Sequence, residues 1–515
     1  MSKKAESVIQ FYSRLESNID EALINELIEI SKRILQLDAS IWGAESEAVN
    51  RLGWVQLPKT SRELLPALDA LAAWSRSTGK SNFVLCGMGG SSLGPEVIAK
   101  TYRKKLSILD STDPTQIKSM VPQTKSELEQ TLFIISSKSG TTIETLSQFQ
   151  YLKQLVETNN LQISNHFVIV TDPGSPLSKD AQKLDLKVVH ANPEVGGRFS
   201  VLSAFGLVPS ALIGVDVAAL LDDAEDALHS FTNSDSAAAK LAANLYNQTD
   251  FCFSVSDDGS DLPGFSDWLE QLVAESTGKN GTGRLPVVLE KFGQAKFGIS
   301  IATSSKDSNP TPTDLNITAP LGAAFYLWEF ATALLGYLLK VDPFNQPNVA
   351  EAKQQTDLVL KTNVESPAIQ FSGKNFQIRS KTKLASLKDL AEMDFSYIAV
   401  MAYVDRKYDH DLFKLQNKLI KLTNKAVTVG YGPRFLHSTG QFHKGGPAQG
   451  LFIQLTYAEN AANPDVKIPG QNFGFAKLIS AQANGDRIAI EKRNRPLFVV
   501  EFKNFMEAIN ELIKD

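Results

Sequence analysis

Between residues 82 and 191, five short apolar runs alternate with stretches that carry glycine turns or helical periodicity. They read NFVLC, KLSILD, LFIIS, HFVIVTD and LKVVHA, and the segment TTIETLSQFQYLKQLV between the third and fourth has a helical pattern. Strands that alternate with helices pair as βαβ units, which makes the sheet parallel and covers both of its faces. This predicts an open, mainly parallel α/β sheet whose ligand sites lie at the carboxyl ends of its strands. Further strand candidates follow at DFCFSV, KFGISIA, YIAVMAYVD, AVTVGYG, GLFIQLTY and PLFVVEF, with helical patterns at 266–275, 321–340 and 410–424 and a terminal helix FMEAINELIKD. The expectation is an α/β protein of two sandwich domains with mainly parallel sheets. A helical lead-in would span 1–45, an N-terminal domain 46–215 and a C-terminal domain 216–515, with the polar run 304–318 as a loop.

Composition narrows the function classes. The 515 residues are 43% hydrophobic and 21% charged, which is ordinary for a folded chain and argues against disorder. A net charge of -5 gives no global attraction to nucleic acid or to an acidic membrane surface. Cys86 and Cys252 are the only cysteines, and both sit among apolar residues. Buried thiols in a reducing compartment are the expectation, not a disulfide framework. The opening MSKKAESVIQFYSRLE has no apolar central run. The most apolar stretch, 324–339, carries Glu329 and reads as a buried core helix. A soluble, cytoplasmic protein is expected.

Two turns carry the strongest chemical signal. Cys86-Gly87-Met88-Gly89-Gly90-Ser91-Ser92-Leu93-Gly94-Pro95 follows a strand and opens a helix, where glycines admit close backbone approach and a helix N-terminus favours an anion. Dinucleotide folds share such turns, but the spacing here is GxGGSS, and no acidic residue ends a second strand to hold a ribose. Ser136-Ser137-Lys138-Ser139-Gly140-Thr141-Thr142-Ile143-Glu144-Thr145 also follows a strand and opens a helix. An ordinary Ser/Thr-capped helix start would look similar alone. Two hydroxyl-rich turns at consecutive strand ends of one sheet favour a phosphate or phosphosugar ligand.

Four weaker segments accompany them. In Gly196-Gly197-Arg198-Phe199-Ser200, two glycines before an arginine allow a fixed guanidinium against a developing oxyanion, although a lone GGR is more often a surface loop. Glu275 sits in Ala274-Glu275-Ser276-Thr277-Gly278-Lys279 at a helix end, where a glutamate is usually solvated. Pro343-Phe344-Asn345-Gln346-Pro347-Asn348-Val349 precedes Glu351 and Lys353, and Leu436-His437-Ser438-Thr439-Gly440-Gln441 precedes His443 and Lys444. The two histidines lack metal-ligand spacing and have no accompanying cysteine or carboxylate cluster.

Taken together, from about Trp42 to the C-terminus, these segments resemble the phosphoglucose isomerase family. GMGGSSLGP is similar to its GxGGSxLGP turn, SSKSGTTIET to its phosphate loop, GGRFS to its arginine loop and AESTGK to its ESxGK base motif. PFNQPNVAEAK resembles FDQxGVExGK, and LHSTGQ resembles LHSxGQ. Asn345 stands where the family usually has Asp, Pro347-Asn348 replaces a residue plus Gly, and Gly140 replaces a bulkier residue. The histidine segment follows FNQPN instead of preceding it, an order that resembles the isomerase half of bacterial transaldolase/isomerase fusions.

The resemblance implies two sugar-isomerase-type domains and an aldose–ketose isomerase of glycolysis and gluconeogenesis, interconverting glucose 6-phosphate and fructose 6-phosphate through a cis-enediol. It implies that Ser91, Ser137, Lys138, Ser139 and Thr142 bind the sugar phosphate, Arg198 stabilises the enediolate and Glu275 moves the proton. His437 would assist ring opening, with Lys353 and Gln346 on the sugar oxygens. No metal or cofactor is expected, and a homodimer is, with the histidine reaching the neighbouring subunit's site. The alternatives are a non-catalytic phosphosugar sensor and a phosphohexose isomerase that also takes mannose 6-phosphate.

Overall fold

The computed structural model describes residues 8–15, 19–305, 312–362, 364–458 and 465–514. Residues Gln10–Ser13 form a strand, β1, inside the lead-in expected to be helical. The helix begins only at Glu21, where the Asp20 carboxylate accepts from the Ala22 N–H and caps it. Phe11 and Tyr12 suit a pleated edge, and pairing with a distant strand overrides the local helical pattern.

The strands expected between 82 and 191 form the first sheet: β2 (Asn82–Gly87), β3 (Ser107–Leu109), β4 (Thr131–Ser136), β5 (Phe167–Thr171) and β6 (Lys187–His190). All pairs are parallel, in the order β3-β2-β4-β5-β6. Its strands alternate between two cores. Leu85, Leu132, Ile134, Val168 and Val170 face one, and Val84, Cys86, Phe133, Ile135, Phe167 and Ile169 face the other. That is why these runs are apolar throughout instead of alternating with polar residues.

The chain turns from β2 outward to β3 and then back to β4, so the switch in direction falls between β2 and β4. Gly87 and Ser136, the last residues of those two strands, are register partners. An open sheet offers its ligand crevice at such a switch point, and both hydroxyl-rich turns start there.

β7 (Cys252–Val255), β8 (Leu285–Val288), β9 (Ser300–Ser304) and β10 (Leu315–Thr318) join β1 in a second sheet ordered β1-β10-β9-β7-β8. Only β1 runs antiparallel. β10 lies in the run expected to be a loop. Its LNIT sequence alternates buried and half-buried positions and fills the ladder between β9 and β1.

β11 (Ile369–Ser372), β12 (Phe376–Arg379), β13 (Tyr397–Ala402), β14 (Ala426–Tyr431), β15 (Gly450–Tyr457) and β16 (Leu497–Phe502) make a third sheet, ordered β11-β12-β16-β15-β13-β14. It is parallel except for β11 and β12 at one edge. The range 216–515 thus carries two sheets among the described residues. The fold is α/β with mainly parallel sheets, and the turn at residues 213–216 separates helices Ala204–Leu212 and Val217–Leu228.

Helix Leu321–Leu339 is long and apolar enough by composition to cross a membrane, but 89% of its most apolar window is buried inside the molecule. It packs between helices Val217–Leu228, Ala237–Asn247 and Phe265–Thr277. Its apolar character is therefore used in the core that also includes one face of the first sheet. Both cysteine thiols are free and buried.

Candidate active site

The two turns at the switch point are built around close backbone approach. Gly89 has a φ of +55°, and a Cβ there would lie 2.8 Å from the His437 carbonyl oxygen. A Cβ on Gly90 would lie 1.9 Å from the Gly197 carbonyl oxygen. The paired glycines therefore let the arginine loop and the histidine segment press against the first turn, which side chains would prevent.

In the second turn, the Ser137 hydroxyl donates to Thr142 Oγ1 at 3.0 Å, and the Ser139 and Thr141 hydroxyls lie 2.9 Å apart. Helix Ile143–Thr158 starts here, and Thr142 at its cap position does not use its own side chain to cap it. Its first N–H groups and the surrounding hydroxyls are neutral donors of the kind that can hold an anion. Lys138 is more constrained than a free phosphate-binding lysine. Its Nζ donates to Asp172 Oδ2 at 2.7 Å and to the Pro193 carbonyl at 3.2 Å. Burial pushes Lys138 below the usual lysine range and Asp172 above the usual aspartate value, each partly offset by the other's charge.

Arg198 lies in a short turn, Gly197–Phe199, with only 3% of its surface exposed. Its Nε donates to Ser276 Oγ at 2.8 Å and Nη1 to Gln346 Oε1 at 2.7 Å, while Nη2 meets the Pro343 and Asn345 carbonyls. Nη1 also lies 3.5 Å from Glu275 Oε1. Burial lowers the guanidinium's pKa from its ordinary value, against the pull of Glu275. It remains a cation, as arginine does in proteins.

Glu275 occupies the last turn of helix Phe265–Thr277 and is buried, unlike the solvated glutamate usual at a helix end. Besides Arg198 it accepts a 3.1 Å hydrogen bond on Oε2 from Gln271, one turn earlier on the same face. The Gln271 amide nitrogen also donates to the His437 carbonyl at 2.7 Å, tying helix Phe265–Thr277 to the histidine segment.

His437 closes the short turn Arg434–His437. Its Nε2 sits 3.1 Å from Glu144 Oε1, which also accepts from Gln482 Nε2 at 2.7 Å. Gln482 is fixed in turn by the Thr112 hydroxyl at 2.7 Å. Burial would push the Glu144 carboxyl up, but His437, by charge and hydrogen bond, holds it below the ordinary glutamate value.

One cleft of about 320 Å³ is lined by Ser91, Ser137, Lys138, Ser139, Thr142, Arg198, Glu275, Gln346, Lys353 and His437, so every candidate site residue comes together there. Gln346 reaches it through Arg198, and Lys353 stands exposed at its rim on helix Val349–Lys361. His437 enters the cleft of its own chain, which differs from a histidine donated by a neighbouring subunit. The segment that bears it follows β14 of the third sheet, and helix Phe475–Glu491, which supplies Gln482, precedes β16 of that sheet.

His443 lies elsewhere, fully buried among the rings of Tyr397, Phe435 and Phe452, and burial pushes its pKa well down. Among the described residues, no group of three or more His, Cys, Asp or Glu side chains is arranged to hold a metal ion.

The cleft also contains residues that sequence reasoning did not assign: Glu47, Arg51, Asp172 and Gln271. Glu144 and Gln482 stand behind His437. Glu144 lay in a quoted motif and Gln271 lies four residues before Glu275, which are usable signals. Arg51, Asp172 and Gln482 reach the site only through tertiary contacts.

Comparison with known proteins gives the same picture for part of the chain. Residues 57–307 match the family model described as phosphoglucose isomerase. Glucose-6-phosphate isomerase of Campylobacter jejuni is 33% identical over 236 residues, covering 44% of this chain and 57% of that protein. The chain spans about half the length of several curated relatives it matches, 50% and 54% for two archaeal proteins. In fold it is similar to a glucose-6-phosphate isomerase from Chlamydia trachomatis, with a TM-score of 0.57 and 19% identity over 69% of this chain and 89% of that one. A hypothetical protein from Thermus thermophilus gives a TM-score of 0.57 and 24% identity over 69% of this chain and 100% of that one. The family match takes in both hydroxyl-rich turns, Arg198 and Glu275, and ends before Gln346, Lys353 and His437. Over residues 57–307, just under half of its length, the chain matches the phosphoglucose isomerase family.

Proposed function

We propose that the protein is a glucose-6-phosphate isomerase acting between glucose 6-phosphate and fructose 6-phosphate in the cytoplasm, in glycolysis and gluconeogenesis. The observation that carries this reading is the buried Glu275 carboxylate held between Arg198 and Gln271, in one cleft with a hydroxyl-rich helix N-terminus and His437.

Moving a carbonyl from C1 to C2 requires breaking the C–H bond beside it. Glu275 would remove the C2 proton and return it to C1 by way of a cis-enediol, help of a kind worth ~10²–10⁴-fold. Arg198 would hold charge that grows on the carbonyl oxygen, and its fixed donors need no reorganisation as that charge appears. His437, oriented by Glu144 and Gln482, would move the proton that opens the sugar ring. The turns at 88–92 and 137–142 would grip the phosphate, which the reaction leaves unchanged and whose binding energy positions C1 and C2.

Proton NMR of fructose 6-phosphate with the purified protein in deuterium oxide tests the reading. The account expects glucose 6-phosphate with deuterium at C2. Mannose 6-phosphate as a co-product would broaden the substrate assignment, and an unchanged spectrum would reduce the protein to a phosphosugar binder.

A further inference from the structure

We infer that Arg51 binds the substrate's phosphate, as the outer cation of a two-cation clamp with Lys138; this rests on the phosphosugar reading above. A phosphate dianion in a cleft needs positive charge with donors to spare. Two of the cations lining the cleft are committed elsewhere. Arg198 gives each of its three nitrogens to protein acceptors and leans on Glu275. Lys138 is paired with Asp172.

Arg51 is differently placed. It lines the same cleft, with its side chain 31% exposed. Its Nη1 donates to the Pro193 carbonyl oxygen at 2.8 Å, the same oxygen that Lys138 Nζ approaches at 3.2 Å. Sharing one acceptor puts the two cationic nitrogens no more than about 6 Å apart. Of the carboxylates near Arg51, Glu47 meets Nε at 3.4 Å, and Asp172 is paired with Lys138. Among the described residues no hydrogen bond uses Nη2.

The backbone around Arg51 is also anchored. Gly53 N–H donates to the Glu194 carbonyl at 3.1 Å, and Leu52 forms a bridge with Val195. The Glu47 N–H donates to Asp342 at 2.8 Å. Arg51 is thereby held against the 192–195 turn that leads straight into Gly196-Gly197-Arg198. Both turns that grip the phosphate are rich in neutral donors, so one more fixed cation at their edge supplies charge that Lys138 alone, neutralised by Asp172, does not.

A purely structural arginine would tie residues 47–53 to that turn and do nothing else, and the test separates the two roles. Wild type, Arg51→Gln and Arg51→Lys are compared by steady-state kinetics on fructose 6-phosphate, by calorimetric titration with inorganic phosphate and by thermal unfolding. The clamp predicts that Arg51→Gln raises KM and the phosphate dissociation constant together by ~10–100-fold, the loss of a charge-assisted contact. It also predicts kcat within about threefold and partial rescue by Arg51→Lys. Unchanged KM and phosphate affinity overturn the inference. So does a fall in kcat and melting temperature without a change in phosphate affinity. A wild type that binds phosphate through Arg51 but has no isomerase activity would sink the proposed function and leave the clamp standing. A wild type that binds no phosphate would overturn the clamp itself.

Discussion

Arg198 shows how one side chain can be made rigid by the company it keeps. Its guanidinium donates to Ser276, Gln346 and two main-chain carbonyls while facing Glu275, so its position is set before any substrate arrives. A lysine could reach one of those acceptors at a time, because an ammonium is a point charge and not a planar fork. Arg198→Lys is therefore expected to lower kcat by ~10²–10³, the scale of losing one fixed donor to a developing oxyanion. A smaller rise in KM should accompany it, read from progress curves with fructose 6-phosphate. A kcat within twofold of wild type would mean that the guanidinium geometry does not matter to the chemistry. Much at this scale was legible from sequence, because Ser91, Lys138, Arg198, Glu275 and His437 lie in compact runs with turn chemistry around them. Glu144, Gln482 and Arg51 were not assigned. Glu144 had a local signal in the motif of the second turn, while Gln482 and Arg51 owe their places to partners far along the chain or on another sheet, of which spacing carries no trace.

Elements were legible where a run is continuously apolar, including the edge strands β3, β6 and β14, and hidden where the run is short, polar or interrupted by proline. β2, β4, β5, β13 and β15 sit inside sheets, and their continuous apolar runs announce them. β1, β11 and β12 are edge or near-edge strands whose burial is partial. β8 carries Pro286, and β10 hides in a polar stretch. Helix Leu321–Leu339 raises a different matter, since Glu329 is fully buried in it and, among the described residues, both carboxyl oxygens are without a hydrogen-bond partner. Burial holds its pKa well above the ordinary 4.5, so the folded protein keeps it protonated where the unfolded chain would ionise it. The folded state then binds the extra proton. The stability this group contributes is fully present below pH about 4.5 and is lost as pH rises, by up to ~1.4 kcal/mol per pH unit until the folded-state pKa is reached. Glu329→Met should remove that slope. Its melting temperature should exceed that of wild type, and by more at pH 8 than at pH 5. Equal shifts at both values would show that the carboxyl is not neutral in the core.

At the scale of the whole molecule, three sheets are arranged so that every candidate site residue of one chain lines one cleft. The two hydroxyl-rich turns come from the first sheet, Glu275 from a helix packed on the second, and His437 from the segment after β14 in the third. Subunit mixing gives a direct readout. If Glu275→Gln and His437→Ala chains carrying different tags are co-expressed and purified through both tags, a site built from one chain stays dead in the mixture. Recovery of a substantial fraction of wild-type activity would show that base and histidine are contributed by different chains.

The proposed function turns on Glu275 as the group that moves the proton. It is tested most directly by a coupled assay in chelator-containing buffer, with fructose 6-phosphate and NADP reduction by added glucose-6-phosphate dehydrogenase, run on wild type and Glu275→Gln. Steady turnover by the wild type is expected, with a fall of ~10²–10⁴-fold in kcat for the variant and its melting temperature and phosphate affinity kept. A folded Glu275→Gln protein that turns over at the wild-type rate would contradict it.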